Sequence, residues 1–527
     1  MRVLLWHGWL LEGSGSNVYT ARTAEAMVKA GHDVLVLCQE PRPERFRFVR
    51  AAGTVGPQGV GPLQALERPG SMASRGAVLL RPDIGTLLPV FVMDEYPGFE
   101  VKRFVDLSDA ELAAYLERNV RALNEAARWH RAELVVMGHV VPGAVIGVRA
   151  LGPGAYVTKT HGSDIEYAIR EDPRYLDLAT EGLAGARFVT GAGHEVLQRL
   201  TELVPSIADR ARIVPPGVDV DRFRPVPRKV ALETVADLLD AIPPSALAEL
   251  PAGSGAGRRS SGLGPRVAAV DDEVRAAMEA RNGDELEGLA RRYDQALPDA
   301  DAATRLRALS SFEGPVVGYL GKLIPQKGVH LLLAAMAGLP HGVRTLIVGF
   351  GLYREWLTAL TLALGAGDQA SVQWVCERAR MRIEVPDRVL SKAVGFEDRV
   401  EFTGRLDHRY APYALAAMDV LVVPSILDEA FGMAAAEGAA AGALPLVARH
   451  SGLAEVVTRL ETAAGRPDLF SYEPGPNVAR SVAEGITKLL SLPRADRDEL
   501  RQIVSEFVHR EWNWDRTAAL ILDLAQP

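Results

Sequence analysis

Cysteine is scarce in this chain, and long apolar runs are missing. Cys38 and Cys376 are the only two cysteines in 527 residues. Two thiols cannot build a disulfide framework or a thiolate metal site, and so low a count suits a reducing compartment. No stretch reaches the ~18 apolar residues that span a bilayer. Neither charge sign dominates, with 59 Lys and Arg against 67 Asp and Glu for a net charge of −8. Recruitment of nucleic acid or anionic lipid by a global field is thereby excluded. The opening MRVLLWHGWLL is apolar, but His7 and Gly8 break it and no small-residue cleavage site follows. A signal peptide is therefore not expected. These readings predict a cytoplasmic protein.

What is present is an ordinary globular composition, 48% hydrophobic and 24% charged, at a length that suggests two or more domains. Short β-rich runs alternate with Ala/Leu-rich helical stretches, the rhythm of α/β parallel sheets. Val3–Trp6, HDVLVL, ELVVMGH (133–139), AYVTKTHG (155–162), ARFVTG (186–191) and ARIVPPG (211–217) read as strands. Val18–Lys29 and Leu107–His130 read as helices, with Gly31 as a stop. The rhythm breaks over 228–310, where helical pieces surround the Gly/Ser/Arg stretch AGSGAGRRSSGLGPR (252–266), which should be mobile. It restarts with PVVGYLG, RTLIVGFG, RVEFTG, DVLVVPS and LPLVARH. The expected fold is α/β with two Rossmann-like doubly wound domains facing a cleft and an inserted helical, flexible segment. The boundaries fall at 1–227, 228–310, 311–508 and a C-terminal helix, 509–527, crossing back to the first domain. In such sheets ligands bind outside the carboxyl ends of the strands, so strand-end residues come first.

EGSGSNV (12–18) follows the first strand and opens a helix, so Gly13 and Gly15 could admit a phosphate to backbone N–H groups. It is a poor dinucleotide fingerprint, because Val18 stands where the third glycine would be. Glu40 could be argued as a ribose acid, but the turn geometry disagrees. A loop that touches a diphosphate or an acceptor is the reading preferred here.

The second half carries stronger chemistry. GYLGKLIPQKG sets Lys322 and Lys327 on a strand-end loop, where two ammonium groups suit a diphosphate. Without a target they would be two solvated charges. DEAFGMAAAEGAAAG (428–442) follows the run DVLVVPS and places Glu429 before a helix that begins near Gly432 or Met433. Glu437 lies about a turn inside, and eight helical residues would separate the carboxylates by ~12 Å. The order of acid, bare helix start and acid matches sugar hydroxyls, phosphates and ribose hydroxyls in turn. The small residues between keep side chains out of the way. Taken alone, Glu429 would be a helix N-terminal charge and Glu437 a solvated residue.

PPGVDVDRF, GYLGKLIPQKG, VEFTGRL, the long segment from AAMDVLVVPS to HSGLAEVV, and FVHREWNWDRTAALIL together resemble family 4 of the retaining glycosyltransferases. The resemblance spans nearly all of the chain outside 228–310. It implies the GT-B architecture, a nucleotide-diphosphate sugar held mainly by the second domain, and an acceptor hydroxyl received by the first. By that resemblance Lys322 and Lys327 neutralise the departing diphosphate, although family members often carry arginine where Lys322 stands. Glu429 meets the donor sugar's hydroxyls and Glu437 the ribose. Phe431, Gly432 and Met433 offer backbone N–H groups, and Arg405 and Leu406 lie beside the nucleobase. In THGSD, His161 contacts the transferred sugar and Asp164 lies at the cleft; His139 borders the acceptor.

No pair of carboxylates straddling a bond is evident, so glycosidase chemistry fits poorly. Asp219 and Asp221 in PPGVDVDRF superficially resemble a metal clamp but are expected to be structural, with no metal and no cofactor beyond the donor. The arginines of EPRPERFRFVR (40–50) read as a solvated basic loop, so membrane association is possible in principle but not indicated. Two alternatives stay open. One is a nucleotide-sugar epimerase of the same architecture; the other is a catalytically silent binding or scaffold protein that uses 228–310 as its interaction element. Donor base, donor sugar, acceptor and oligomeric state are not legible.

Overall fold

The computed structural model describes residues 1–67, 75–93, 96, 98–241 and 263–526. They form two compact units. The first holds Met1–Gly217 and Trp512–Pro527; the described residues of the second run from Val218 to Glu511. Among the described residues, no helix is long and apolar enough to cross a membrane.

The strands of the first unit are β1 (Arg2–Trp6), β2 (Asp33–Leu37), β3 (Val49–Gly56), β4 (Gly59–Val60), β5 (Gln64–Ala65), β6 (Ala77–Pro82), β7 (Leu87–Val90), β8 (Glu100–Arg103), β9 (Leu134–Gly138), β10 (Val157–Lys159), β11 (Phe188–Gly191) and β12 (Ala211–Ile213). The main sheet runs β12-β11-β10-β9-β1-β2-β6-β3-β4. It is parallel from β12 to β3, while β4 and β5 pair antiparallel with β3. A parallel sheet is covered on both faces, which is why β1 and β2 read as unbroken apolar runs. The helix Gly15–Lys29 covers one face, starting where the Ser14 hydroxyl accepts from the Asn17 N–H and stopping before Gly31. The helix Asp109–His130 opens on a capping box formed by Ser108 and Glu111. β1 lies between β2 and β9, so the chain reverses direction across the sheet there and leaves a switch point. Strands β3–β8 were not foreseen. β3 (VRAAGTVG) carries weak β signal and becomes a strand by pairing with β6, whereas β7 and β8 are four-residue strands that pair only with each other.

The second unit has β13 (Val316–Lys322), β14 (Arg344–Phe350), β15 (Val400–Phe402), β16 (Val420–Val423), β17 (Leu444–Ala448) and β18 (Ser471–Tyr472). All are parallel, in the order β15-β14-β13-β16-β17-β18. The strand order reverses between β13 and β16, the second switch point. Each unit is thus Rossmann-like.

Within the expected insert, 228–310, the helices Arg228–Asp240, Ala269–Glu279, Gly283–Leu289 and Ala302–Ser310 pack onto the second unit. Residues 242–262, which hold most of the Gly/Ser/Arg stretch, lie outside the described residues. A buried polar cluster pins the insert. The Glu355 carboxylate accepts from Arg266 Nε and Nη2, both at 2.8 Å, and from the Tyr293 hydroxyl at 2.6 Å. Further on, the Asp299 N–H donates to the Thr403 carbonyl at 2.9 Å, and the Arg405 N–H donates to the Leu297 carbonyl at 3.3 Å.

Candidate active site

The loops that leave β13 and β16 meet at the second switch point. After Lys322 the chain makes one tight turn, Pro325–Lys327, and enters the helix Val329–Ala337 at Gly328. The N–H groups of Ile426 and Leu427, past the end of β16, donate to the Gln326 carbonyl at 2.8 and 3.2 Å. Gly328 has φ +68°, and a Cβ there would lie 1.9 Å from the Pro424 carbonyl oxygen. Only glycine permits so close an approach of the two loops. The approach sets Lys327 Nζ 2.8 Å from Glu429 Oε1. Glu429 is held by its own backbone: its N–H donates to Ser451 Oγ at 3.1 Å, and its carbonyl accepts from the Gly452 N–H at 2.9 Å. Behind them the Tyr319 hydroxyl donates to the Lys322 carbonyl at 2.9 Å. Burial, reinforced by the Glu429 charge, raises the Tyr319 pKa well above its ordinary value, so it stays a phenol. Lys322 itself is exposed at the end of its strand.

The helix Met433–Ala440 begins within the range expected from the sequence, and no side chain caps it. Gly432 precedes it at φ +107°, with Leu453 Cδ2 2.6 Å from where a Cβ would be. Intrahelical bonding starts only with Ala435 and Ala436, whose N–H groups both donate to the Gly432 carbonyl. The amides of Met433 and Ala434 therefore belong to the first turn, which has no partners inside the helix. Phe431 is buried, and only its backbone could contribute.

Glu437 is not the solvated residue that its sequence alone suggests. Burial, with the nearby Asp219 charge adding to it, lifts its pKa to about 8. The acid form is the stable one in the folded protein. A raised folded pKa gives stability that is complete below the unfolded value and is lost as pH climbs through about 8. Glu437→Gln should therefore leave unfolding free energy nearly unchanged at pH 5 and raise it by ~1–3 kcal/mol at pH 9. Chemical denaturation at both pH values checks this, and an equal shift at the two would show that the carboxyl is not titrating there.

Arg405 and Leu406, expected beside a base, stand at the end of β15. Leu406 is buried, the Arg405 guanidinium lies over the Phe350 ring at 4.7 Å, and its N–H is occupied by the insert.

At the first unit's switch point, β1, β9 and β10 deliver His7, His139 and His161 to one cluster. His139 and His161 have ring centroids 4.5 Å apart, and Trp9 lies 4.7 Å from His139. Tyr19 stands edge-on to His161 at 5.3 Å. Burial drives all three imidazoles toward the neutral form. His7 and His139 fall to about 3, and His161 falls well below its ordinary value, with the His139 and Lys159 charges adding to the effect. His161 keeps some exposure and His139 keeps almost none. The expectation that His139 borders an acceptor is therefore corrected: its ring is enclosed by aromatic side chains. Asp164 is corrected too. It is fully buried, and its carboxylate accepts from the Val140 N–H (2.8 Å), Thr160 Oγ1 (2.9 Å), the Gly162 N–H (3.0 Å) and the His161 N–H (3.3 Å). Its work is to shape the THGSD turn that presents His161.

Lys159 was missed by sequence reasoning. Its buried ammonium donates to the Val214 carbonyl at 3.2 Å and sits 4.3 Å from the Tyr19 ring centroid, and burial brings its pKa down to about 7. Only its place beside THG at a strand end could have signalled it. Gly13 lies on the loop after β1, where Glu12 pairs with Arg45 at 2.7 Å, and Gly15 is the first residue of the helix that follows. Glu40 accepts from the Leu11 and Arg42 N–H groups, both at 3.1 Å, so its carboxylate is structural.

This geometry can be set beside known proteins. Residues 314–491 match the model of the glycosyl transferases group 1 family. The matched segment lies within the second unit and contains both lysines and both glutamates. The chain is 26% identical over 238 residues to the 2-deoxystreptamine glucosyltransferase of Streptomyces kanamyceticus, covering 43% of this chain and 51% of that one. It is 29% identical over 249 residues to the GDP-mannose-dependent alpha-(1-6)-phosphatidylinositol monomannoside mannosyltransferase of Mycobacterium tuberculosis, covering 44% and 52%. The chain spans about half the length of the curated relatives it matches. Among solved structures, the sucrose-phosphate synthase of Thermosynechococcus elongatus shares the fold at TM-score 0.54 and 19% identity, over 99% of this chain and 97% of that one. Anabaena HepE in complex with UDP-glucose shares it at TM-score 0.54 and 14% identity, over 99% and 98%.

Proposed function

We propose that this protein is a retaining glycosyltransferase of family 4 that moves a sugar from a nucleotide-diphosphate donor to an acceptor hydroxyl without a metal ion. The observation that carries this reading is the 2.8 Å contact between Lys327 and Glu429 at the β13/β16 switch point, beside an uncapped helix start. A cation for the diphosphate, a carboxylate for sugar hydroxyls and free amides for phosphate oxygens stand there together. The relatives supply a second support, since those named are a glucosyltransferase and a mannosyltransferase.

The chemistry is front-face displacement. The bond from the anomeric carbon to the leaving phosphate oxygen breaks, the acceptor oxygen bonds to that carbon on the same face, and the acceptor's proton passes to the leaving diphosphate. Lys322, Lys327 and the Met433 helix start stabilise the charge that grows on the diphosphate, a contribution that low dielectric and fixed dipoles make large. Glu429 accepts from the donor sugar's hydroxyls, and the neutral carboxyl of Glu437 can both donate to and accept from the ribose. In the first unit, which receives the acceptor, the neutral imidazole of His161 offers a ring nitrogen to a hydroxyl. The lysines take the role that a divalent cation would otherwise have.

Incubation with UDP-, GDP- and ADP-sugars and a panel of hydroxyl acceptors tests the reading. Transfer with the anomeric configuration kept, and undiminished in EDTA, is expected. Release of an altered nucleotide sugar without acceptor would make the protein an epimerase. Activity abolished by EDTA and restored by a divalent ion would remove the metal-free mechanism.

A further inference from the structure

The inserted segment holds a feature that the proposed chemistry leaves unused. Glu287 lies near the end of the helix Gly283–Leu289, and Arg291 follows four residues later. Both residues line an open hollow of about 170 Å³. Its other walls are Ile324 and Pro325, from the turn between Lys322 and Lys327, and Leu352, Tyr353 and Trp356, which follow β14. The hollow therefore opens beside the carboxyl ends of β13 and β14, where ligands of such sheets bind. Leu352 leaves 51% of its surface exposed there, a flat apolar rim next to a cationic loop. Among the described residues neither the Glu287 nor the Arg291 side chain has a bonding partner. The insert is anchored at this place by the Arg266–Glu355 pair and by Leu297–Asp299, which lies along Thr403–Arg405. That anchoring uses up the Arg405 N–H, so a base near β15 must find its recognition elsewhere.

We infer that the inserted segment reads the base of the nucleotide, with Glu287 accepting from a donor on the base edge and Arg291 donating to the acceptor beside it. The ring lies against Leu352 while the diphosphate reaches the lysine loop. A carboxylate and a guanidinium four residues apart, lining one hollow, complement an edge that presents a donor next to an acceptor. An apolar surface takes the face of the same ring. The inference rests on the nucleotide-sugar reading and assigns base selection to residues outside the two Rossmann-like folds.

The test is calorimetric titration of the full chain with UDP, GDP, ADP and inorganic diphosphate, for the unaltered protein, Arg291→Ala and Glu287→Gln. Both sites are exposed, so both variants should fold. The expected result is a loss of at least about fivefold in affinity for the preferred nucleoside diphosphate in each variant, because a hydrogen bond to a charged group is lost. Preference among the three bases should narrow, and affinity for inorganic diphosphate should hold. Unchanged base preference in both variants would overturn the assignment, as would an equal loss for inorganic diphosphate. If the unaltered protein binds none of the four, the nucleotide-sugar reading itself falls.

Discussion

Lys327→Ala should lower kcat for sugar transfer by at least ~100-fold, the loss typical of removing one charge stabiliser from a preorganised site. The lysine lies 2.8 Å from Glu429, which fixes its ammonium at the β13/β16 switch point. Preorganisation is what gives such a group its effect, because no reorientation is needed as charge develops. The pair is only partly buried, with side-chain exposures of 25% and 18%, so its removal should cost at most ~1 kcal/mol of folding stability. Activity and stability are therefore separable. Lys327→Arg keeps the charge and should recover part of the rate. Steady-state kinetics of the two variants decides the matter: an alanine enzyme within tenfold of the unaltered one would leave Lys327 without the assigned role.

Glu355→Ala should destabilise the second unit by ~3–5 kcal/mol, because it strands a buried guanidinium. Arg266 is 4% exposed and Glu355 is fully buried. Asp271 also contacts Arg266 at 2.7 Å, but it is half-exposed and replaces little of the lost interaction. Replacing both partners with apolar residues of similar volume, as in Arg266→Met with Glu355→Leu, should restore most of the loss, since neither charge is then left alone. Urea denaturation of the single and double variants measures this. A single-variant loss below ~1 kcal/mol would mean that the insert is not held by this cluster.

Much of this protein is written in local pattern. The apolar runs around Val316–Lys322 and Val420–Val423 lie where strands form, and the helix after DEAFG starts at Met433, because buried parallel strands and uncapped small-residue helices leave strong signatures. The meeting of Lys327 with Glu429 was open to expectation for a related reason, since strand-end loops of doubly wound sheets are where polar groups converge. Strand β3 escaped, because Ala51, Ala52 and Gly53 carry little intrinsic β preference and become a strand only by pairing with β6. Asp164 was misread because a carboxylate beside a histidine looks the same in sequence whether it faces a ligand or its own backbone amides. Lys159 was invisible because nothing local separates a buried lysine from a solvated one.

The sequence by itself determined which segments become strands and helices and which charged residues follow them, since periodicity and capping act over a few neighbouring residues. Only the tertiary structure decided which of those charges meet. Lys327 reaches Glu429, 102 positions away, because Gly328 lets one loop lie against Pro424. It likewise decided protonation. Glu437, Lys159 and the three histidines of the first unit hold shifted pKa values because burial, a property of the whole fold, makes ionisation costly.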